Sequence, residues 1–344
     1  MATLLLKKYT YFIGIDISKN ELDFAVMQGD KFLFHREIKN DLNDIYVLIQ
    51  EIKHLPKFTM TKAIFCMENT GIYGNHLVNA LKKYKANVVI EHPAQIKGSL
   101  GNIRGKNDKA DAIRIAEYAY RSKHKLRLFV AKRPILKQLA ELNALKNRLS
   151  ILLLSLKKPL KEQSSFVSKG IVKQNVKLCK RSTDAIENDL MAIEQRIQEI
   201  IQSDEALNRL MKIITSVSGI GPVTALQIIL CTNEFKDIKD PKKFACYSGV
   251  APFLKSSGIV TGKSKVSHLA NKKMKTLLHL CARNARRCVP ELKSYFERKT
   301  SVEGKNKMLV FNAIRYKLIL RVFACVNQGR LYQSTYQRPA PEYA

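Results

Sequence analysis

Tyr11-Phe12-Ile13-Gly14-Ile15-Asp16 is an apolar run that ends on an acid, and the chain around it decides the fold. The run is short and rich in β-formers, so it reads as a buried strand. Residues 11–17, 22–28 and 31–37 are three such segments, separated by Ser18-Lys19-Asn20-Glu21 and Gly29-Asp30. That spacing predicts an antiparallel meander with tight turns. The pattern then alternates. Leu42 to Ile52 has helical periodicity, 62–68 is a buried strand and 73–84 is a helix with apolar Leu77, Val78 and Leu81. Residues 87–91 read as a strand and 108–121 as a helix.

Three antiparallel strands followed by α-β-α-β-α is the order of an RNase H-like α/β fold. In that order the ends of the first and fourth strands are neighbours. Asp16 ends the first, and Glu68 ends the fourth, Ala63-Ile64-Phe65-Cys66-Met67-Glu68. Asp108 and Asp111 lie three apart in Lys106-Asn107-Asp108-Lys109-Ala110-Asp111-Ala112, hence on one helical face. Four carboxylates so placed can converge on a hard divalent cation, Mg²⁺ or Mn²⁺, which takes oxygen ligands and serves phosphoryl transfer. Gly14, Gly71 and Gly74 can allow close backbone approach around them. The plainer alternatives are solvated strand-end acids, an Asp111–Arg114 pair, and Asp108 as the N-cap of its helix.

The formal net charge is +31, with 60 Lys and Arg against 29 Asp and Glu, too large an excess for an ordinary metabolic enzyme. It is uneven. Residues 1–120 carry +4, residues 121–250 carry +12 and residues 251–330 carry +15. An excess of this kind binds polyanions by releasing condensed counterions, so the acids belong to the front of the chain and the phosphate-binding charge to the back. A basic surface kept for solubility is the competing explanation. The seven cysteines are scattered without a CxxC pair, which argues for reduced thiols and against a disulfide framework or zinc site. Apolar runs such as 149–154 fall far short of a membrane span, and Met1 to Leu6 runs into Lys7-Lys8 without a small-residue cleavage site, so a cytoplasmic protein is expected.

From Pro134 to about Leu210 strand signals give way to long apolar periodicities, as at Leu136, Leu139, Leu142, Leu145 and Leu149. Two long antiparallel helices around a polar connector, 163–177, are expected, as a dimerising or spacer coiled coil or as an ordinary bundle. Next, Ser218-Gly219-Ile220-Gly221-Pro222 between helical segments has the layout of a helix-hairpin-helix, whose turn amides can hold a DNA phosphate. A capping glycine before a Pro-initiated helix has the same appearance. Glycines and hydroxyls in 255–263, followed by a basic helix from Lys272 to Arg287, make a phosphate-handling region. Lys263, Lys265, Lys272, Lys273, Arg283 and Arg286 are its candidate nucleic-acid contacts.

Gly14-Ile15-Asp16-Ile17-Ser18-Lys19, Met67-Glu68-Asn69-Thr70-Gly71 and the Lys106–Ala112 segment resemble the signature of the DEDD insertion-sequence transposases with an N-terminal RuvC-like domain. That group includes the Piv-type invertases and the bridge-RNA-guided recombinases. Ser218-Gly219-Ile220-Gly221-Pro222, Tyr247-Ser248-Gly249-Val250-Ala251-Pro252, Ser256-Ser257-Gly258 and Gly304-Lys305-Asn306-Lys307 resemble its C-terminal transposase domain. One departure is Asn107, where a threonine is usual. The resemblance implies an RuvC-like catalytic domain over 1–125, a helical spacer over 126–210, a mainly α transposase domain over 211–330 and a tail over 331–344. It implies Mg²⁺ held by Asp16, Glu68, Asp108 and Asp111, and a covalent serine nucleophile that falls by position on Ser257, with Ser256 one residue away. It also implies donor and target DNA, a noncoding bridge RNA as guide, and assembly as dimers or tetramers. Two readings compete with a transposase-recombinase: a junction resolvase or nuclease in which water attacks the phosphate, and a non-enzymatic nucleic-acid-binding remnant.

Overall fold

The computed structural model describes residues 9–100, 107–163, 165–253, 256–257, 260–261, 265–267 and 269–334. The chain forms two compact units, Met1–Ala131 and Lys132–Ala344.

The front unit is built on a five-stranded sheet in the order β3-β2-β1-β4-β5. Its strands are β1 (Tyr11–Ile17), β2 (Glu21–Gln28), β3 (Lys31–Lys39), β4 (Ala63–Glu68) and β5 (Asn87–Glu91). The first three form the expected antiparallel meander, and β4 and β5 run parallel to β1. The connections are α1 (Leu42–Lys53), α2 (Asn75–Lys83), α3 (Pro93–Leu100) and α4 (Asp108–Arg121). This is the RNase H-like order, with α3 a helix that the periodicity did not disclose.

Strand parity divides the core. Tyr11, Ile13 and Ile15 of β1 and Phe65 and Met67 of β4 pack with Ile45, Leu48, Leu77 and Leu81 of α1 and α2. Phe12 of β1 and Ile64 and Cys66 of β4 face the other way, toward Ala112, Ile115, Ala116 and Ala119 of α4. Because side chains alternate along a strand, Gly14, Asp16 and Glu68 share this second face. Gly14 explains how α4 comes so close. A Cβ built there would lie 2.2 Å from the Ala112 carbonyl oxygen and 2.2 Å from the Ala116 nitrogen, so only glycine admits the helix backbone. Gly71 instead answers a turn, with φ +75 and nothing near it, and Gly74 meets Ile17 at ordinary contact distance. Beyond α4 the chain returns to the sheet edge, where the Phe129 amide donates to the Val88 carbonyl at 2.7 Å.

The second unit is helical apart from one β-arm. Its helices are α5 (Pro134–Gln163), α6 (Lys169–Gln202), α7 (Glu205–Thr215), α8 (Pro222–Thr232), α9 (Pro241–Tyr247), α10 (Lys272–Cys288), α11 (Pro290–Glu297) and α12 (Lys307–Gln328). Ion pairs Lys146–Glu194 and Lys157–Glu187 show α5 and α6 running antiparallel. Leu136 and Leu139 at one end of the pair and Ile193, Ile197, Ile200 and Ile201 at the same end enter a core shared with α7, α8, α10 and α12. Toward the other end, Ile151, Leu152, Leu154 and Leu178 are all more than half exposed. Arg133 fixes the entry to this unit by pairing with Asp204 at 2.6 Å and with Glu234. The turn between α7 and α8 packs on α10. Gly219 has φ +98 and leaves only 2.6 Å between a built Cβ and the Ala285 Cβ, so both of its properties demand glycine.

Between α9 and α10 lie four two-residue strands: β6 (Pro252–Phe253), β7 (Ser256–Ser257), β8 (Val260–Thr261) and β9 (Lys265–Val266). β6 pairs with β9 and β7 with β8, all antiparallel, which makes one hairpin arm. No helix among the described residues is long and apolar enough to cross a membrane.

Candidate metal centre and nucleic-acid interface

Asp16 and Glu68 stand one step beyond the last β1–β4 ladder pair, Ile15 with Met67, at the same edge of two parallel strands. The first turn of α4 supplies Asp108 and Asp111. One carboxylate oxygen from each of Asp16, Asp108 and Asp111 lies within 4.8 Å of the others. Glu68 falls outside that set. It is still close enough for its charge to act on Asp16, together with the charges of Asp111 and Asp108.

Electrostatics record the crowding. Burial, opposed by an amide hydrogen bond from Ile17 and reinforced by the three neighbouring acids, raises the Asp16 pKa to about 6. Burial likewise raises Glu68, while Lys97 and His92 pull it back. An all-oxygen donor set at this spacing, carrying more negative charge than it can comfortably hold, fits a hard divalent cation.

The local alternatives resolve individually. Asn107, not Asp108, is the N-cap of α4: its side chain accepts from the Lys109 amide at 3.0 Å. Asparagine is thus a competent cap at this position, and Asp108, in the first turn, is exposed. The Asp111–Arg114 ion pair does form, at 2.6 Å, so the same carboxylate is both in the cluster and steadied by a cation one turn along.

Several neighbours went unnoticed in the sequence. Glu91 pairs in register with Glu68 and so shares its face. It ends Val88-Val89-Ile90, the same apolar-run-then-acid pattern as Asp16 and Glu68, which was the available signal. Burial, with the Glu91 charge beside it, pushes the Tyr118 hydroxyl of α4 up to about 12. Asp23 sits opposite Asp16 in register and is held by His35 Nε2 at 2.7 Å. Lys97 was missed because α3 was missed.

In the second unit, Ser256 and Ser257 occupy β7, where Ser256 pairs with Thr261 and Ser257 with Val260. Lys265 lies in β9. Lys263 lies outside the described residues. The arm is tied at its foot: Asn271 donates its amide to the Tyr247 carbonyl at 2.8 Å and its side-chain nitrogen to the Tyr247 hydroxyl at 2.8 Å. Lys272 and Lys273 open α10 just after the Asn271 cap. Positive side chains there oppose the helix dipole, a cost that a nearby anion relieves. Arg283 and Arg286 line a cleft of about 720 Å³ formed with Leu280, Asn284, Arg287, Lys293 and Phe311. α7, the Gly219-Ile220-Gly221 turn and the Pro-initiated α8 form the expected helix-turn-helix layout, with the Gly221 amide on the Cys281 thiol.

An RNase H-like sheet with strand-end acids and a helical acid pair defines the class: an RNase H-like fold carrying a cluster of carboxylates, Asp16, Asp108 and Asp111, that could hold a metal ion. Residues 13–163 match a family model of DEDD transposases of the IS110 type, described as Transposase. Residues 211–297 match a second model, described as Transposase IS116/IS110/IS902 family. The chain belongs to the DEDD transposases of this IS110/IS116 group. An uncharacterised 43.6 kDa protein of insertion element IS110 from Streptomyces coelicolor is 24% identical over 153 residues, 44% of this chain and 36% of that protein. A 44.8 kDa protein of insertion element IS116 from Streptomyces clavuligerus is 28% identical over 102 residues, 28% of this chain and 25% of that protein. The chain thus aligns with roughly a third or less of these relatives' length. Among solved structures, Thermus thermophilus RuvC in complex with Holliday junction substrate overlays with 14% identity, covering 35% of this chain and all of that one, at a TM-score of 0.28. The fold assignment rests on strand order and register, not on that overlay.

Proposed function

We propose that this protein is the transposase or site-specific recombinase of a bacterial insertion sequence, acting in the cytoplasm to cut and rejoin donor and target DNA. The observation that carries the reading is the convergence of Asp16 from β1 with Asp108 and Asp111 from the first turn of α4, one carboxylate oxygen of each within 4.8 Å of the others. In this reading those three and Glu68 hold Mg²⁺ or Mn²⁺. A divalent cation supplies charge neutralisation at a phosphodiester under attack. Asp16 and Asp111 would ligate the ion, with Arg114 keeping the Asp111 carboxylate in place.

Ser257 is the proposed nucleophile, with Ser256 the alternative, because the family motif falls there. Its hydroxyl oxygen forms a bond to phosphorus and the bond from phosphorus to one DNA oxygen breaks. The serine proton leaves to a base, the departing DNA oxygen takes up a proton, and a DNA hydroxyl reverses both changes in the rejoining step. Lys263, Lys265, Lys272, Lys273, Arg283 and Arg286 are the proposed contacts to DNA or to an element-encoded bridge RNA, in keeping with the +27 net charge behind residue 120. We further propose that residues 126–210 act as a spacer and that the exposed apolar end of α5 and α6 joins protomers into dimers or tetramers.

The test is reaction of the full chain with DNA carrying the flanks of its own gene, in Mg²⁺, followed by denaturation and mass spectrometry of the adduct. A phosphoester on Ser257 that is lost in Ser257→Ala and in excess chelator supports the reading. Cleavage without any adduct turns it into a water-attacking nuclease. An adduct on tyrosine eliminates the serine mechanism.

A further inference from the structure

The cleft between α10, α11 and α12 holds more positive charge than its surroundings neutralise. Arg283 and Arg287, one helical turn apart, and Lys293 of α11 line it with Arg286. Among the described residues none of the four has an acid within ion-pair distance. Arg286 is instead laid over the Phe296 ring, 4.2 Å from its centroid. That contact stiffens the guanidinium without cancelling its charge.

Behind the cleft is an independent anomaly. Arg315 of α12 is only 4% exposed, yet its partners are the Nδ1 of His279 at 2.7 Å and the side-chain oxygen of Asn312 at 3.3 Å, both neutral acceptors. Among the described residues its Nε is buried without a partner. Burial, then the positive charges of Arg315 and Arg283, lower the His279 pKa, so the imidazole stays neutral and accepts from Arg315. A buried guanidinium without a counter-ion is costly to keep. Replacing it with a hydrocarbon side chain is the cheaper way to fill space. Its presence beside four cations that have no acid partner among the described residues leaves the region short of negative charge, which an anion from outside would supply.

The shape narrows the anion. Leu280, 52% exposed, and Phe311 line the same cleft as the cations, so apolar and cationic surfaces alternate over a volume of about 720 Å³. That volume suits one or two nucleotides. A duplex offers only its phosphate ridges to such a concave site and keeps its bases stacked inside, so Leu280 and Phe311 would meet no partner. An unpaired strand offers both chemistries, phosphates for the cations and a base face for the apolar lining.

We propose that the α10–α12 cleft is a single-strand site, in which Arg283, Arg287 and Lys293 hold successive phosphates and an unstacked base lies against Leu280 and Phe311. This rests on the reading of the protein as a nucleic-acid enzyme and assigns one of its surfaces to unpaired nucleic acid. The test is fluorescence anisotropy on the full chain with three labelled probes of one mixed sequence: single-stranded RNA, single-stranded DNA and duplex DNA. The variants are Arg287→Gln with Lys293→Gln, and separately Leu280→Asn, whose exposure lets it fold. Both are checked by circular dichroism, with Mn²⁺ titration of the front-unit acids as internal control.

The charge variant should lose about tenfold in single-strand affinity and flatten the salt slope by between one and two, as expected for two lost contacts at ~0.7 each. Leu280→Asn should weaken single strands several-fold with its salt slope intact. Duplex binding should change less than twofold in both. Equal losses on duplex and single strands, or an unchanged single-strand affinity, overturn the proposal. Either result leaves metal-dependent cleavage standing, whereas failure of the wild-type chain to cleave leaves the binding comparison intact. Preference for the RNA over the DNA strand would assign the cleft to a guide, and the reverse to an opened DNA end.

Discussion

Asp16 concentrates the chemistry of this protein in one side chain. Its pKa of about 6 in the folded chain lies above the ordinary 3.8, so ionising it works against folding whenever no cation is bound. The sign follows: the destabilisation is absent below about pH 4, grows between 4 and 6, and is complete above 6. Asp16→Asn should therefore raise the melting temperature of the metal-free protein at pH 7.5 by the equivalent of ~1 kcal/mol, after allowance for the partly exposed position. At pH 3.5 the difference should vanish. Equal melting at pH 7.5 would mean that burial and the neighbouring acids do not penalise the Asp16 charge. The same linkage governs metal binding. Below pH 6 a cation must displace the Asp16 proton, so Mn²⁺ affinity should fall about tenfold per pH unit there and level off above. Isothermal titration at pH 5, 6, 7 and 8 measures it, and a flat profile would remove Asp16 from the ligand set. How legible such residues were depended on what surrounded them. Asp16 and Glu68 stood out because each follows an apolar run; Glu91 has the same form and was passed over because its strand is short. Asn107 looked like a departure from a pattern and is a helix cap, which only the hydrogen bond to Lys109 discloses.

At the scale of elements, the crossing of α4 over β1 turns sequence pattern into a site. Gly14 admits the α4 backbone, and any side chain there drives the helix away from the sheet and carries Asp108 and Asp111 with it. Gly14→Ala should cost about 1–3 kcal/mol or more, the range for overpacking a rigid core, and should weaken Mn²⁺ binding in whatever fraction still folds. Gly74→Ala is the control, because its Cβ position meets only side-chain atoms at ordinary contact distance, the end of Ile17 at 3.4 Å and Thr70 Oγ1 at 4.0 Å. If both substitutions were equally mild, close approach would not be what forms the site. The α5–α6 pair makes a second element-scale prediction. Leu178, 72% exposed, and Leu152, 52% exposed, belong to the end of the pair that the core does not cover. Leu178→Asp should leave the melting temperature nearly unchanged and lower the molar mass read by light scattering, if that end joins protomers. An unchanged mass would locate assembly elsewhere. Periodicity disclosed these two helices because their apolar spacing runs for many turns. It missed α3, whose eight residues include Gly98 and too few apolar positions to mark a face. The β-arm was unreadable for a related reason: its strands are two residues each, and pairing rather than composition holds them.

For the whole molecule, charge and chemistry are segregated along the chain. The first 120 residues hold the cluster acids at a net charge of only +4, and most of the excess of cations lies beyond them, where Lys and Arg outnumber acids eighteen to three over 251–330. A protein arranged this way should bind nucleic acid through released counterions. If six to ten phosphates are neutralised, affinity should fall by about a thousandfold or more between 50 and 200 mM salt. A shallow slope would assign the charge to solubility. The order of strands and the charge gradient were both legible before any coordinates, because each is a sum over many residues. The sharing of one core by the α5–α6 end and the helices after 205 was not, since it depends on which end of a long amphipathic pair meets the rest. The central claim is that Asp16, Asp108 and Asp111, with Glu68 beside them, form a divalent-cation centre. Anomalous diffraction from crystals of the full chain soaked in Mn²⁺ tests it most directly. The account predicts an anomalous peak bounded by the carboxylates of Asp16, Asp108 and Asp111, absent in Asp16→Asn; a well-ordered front unit without that peak at saturating Mn²⁺ would contradict it.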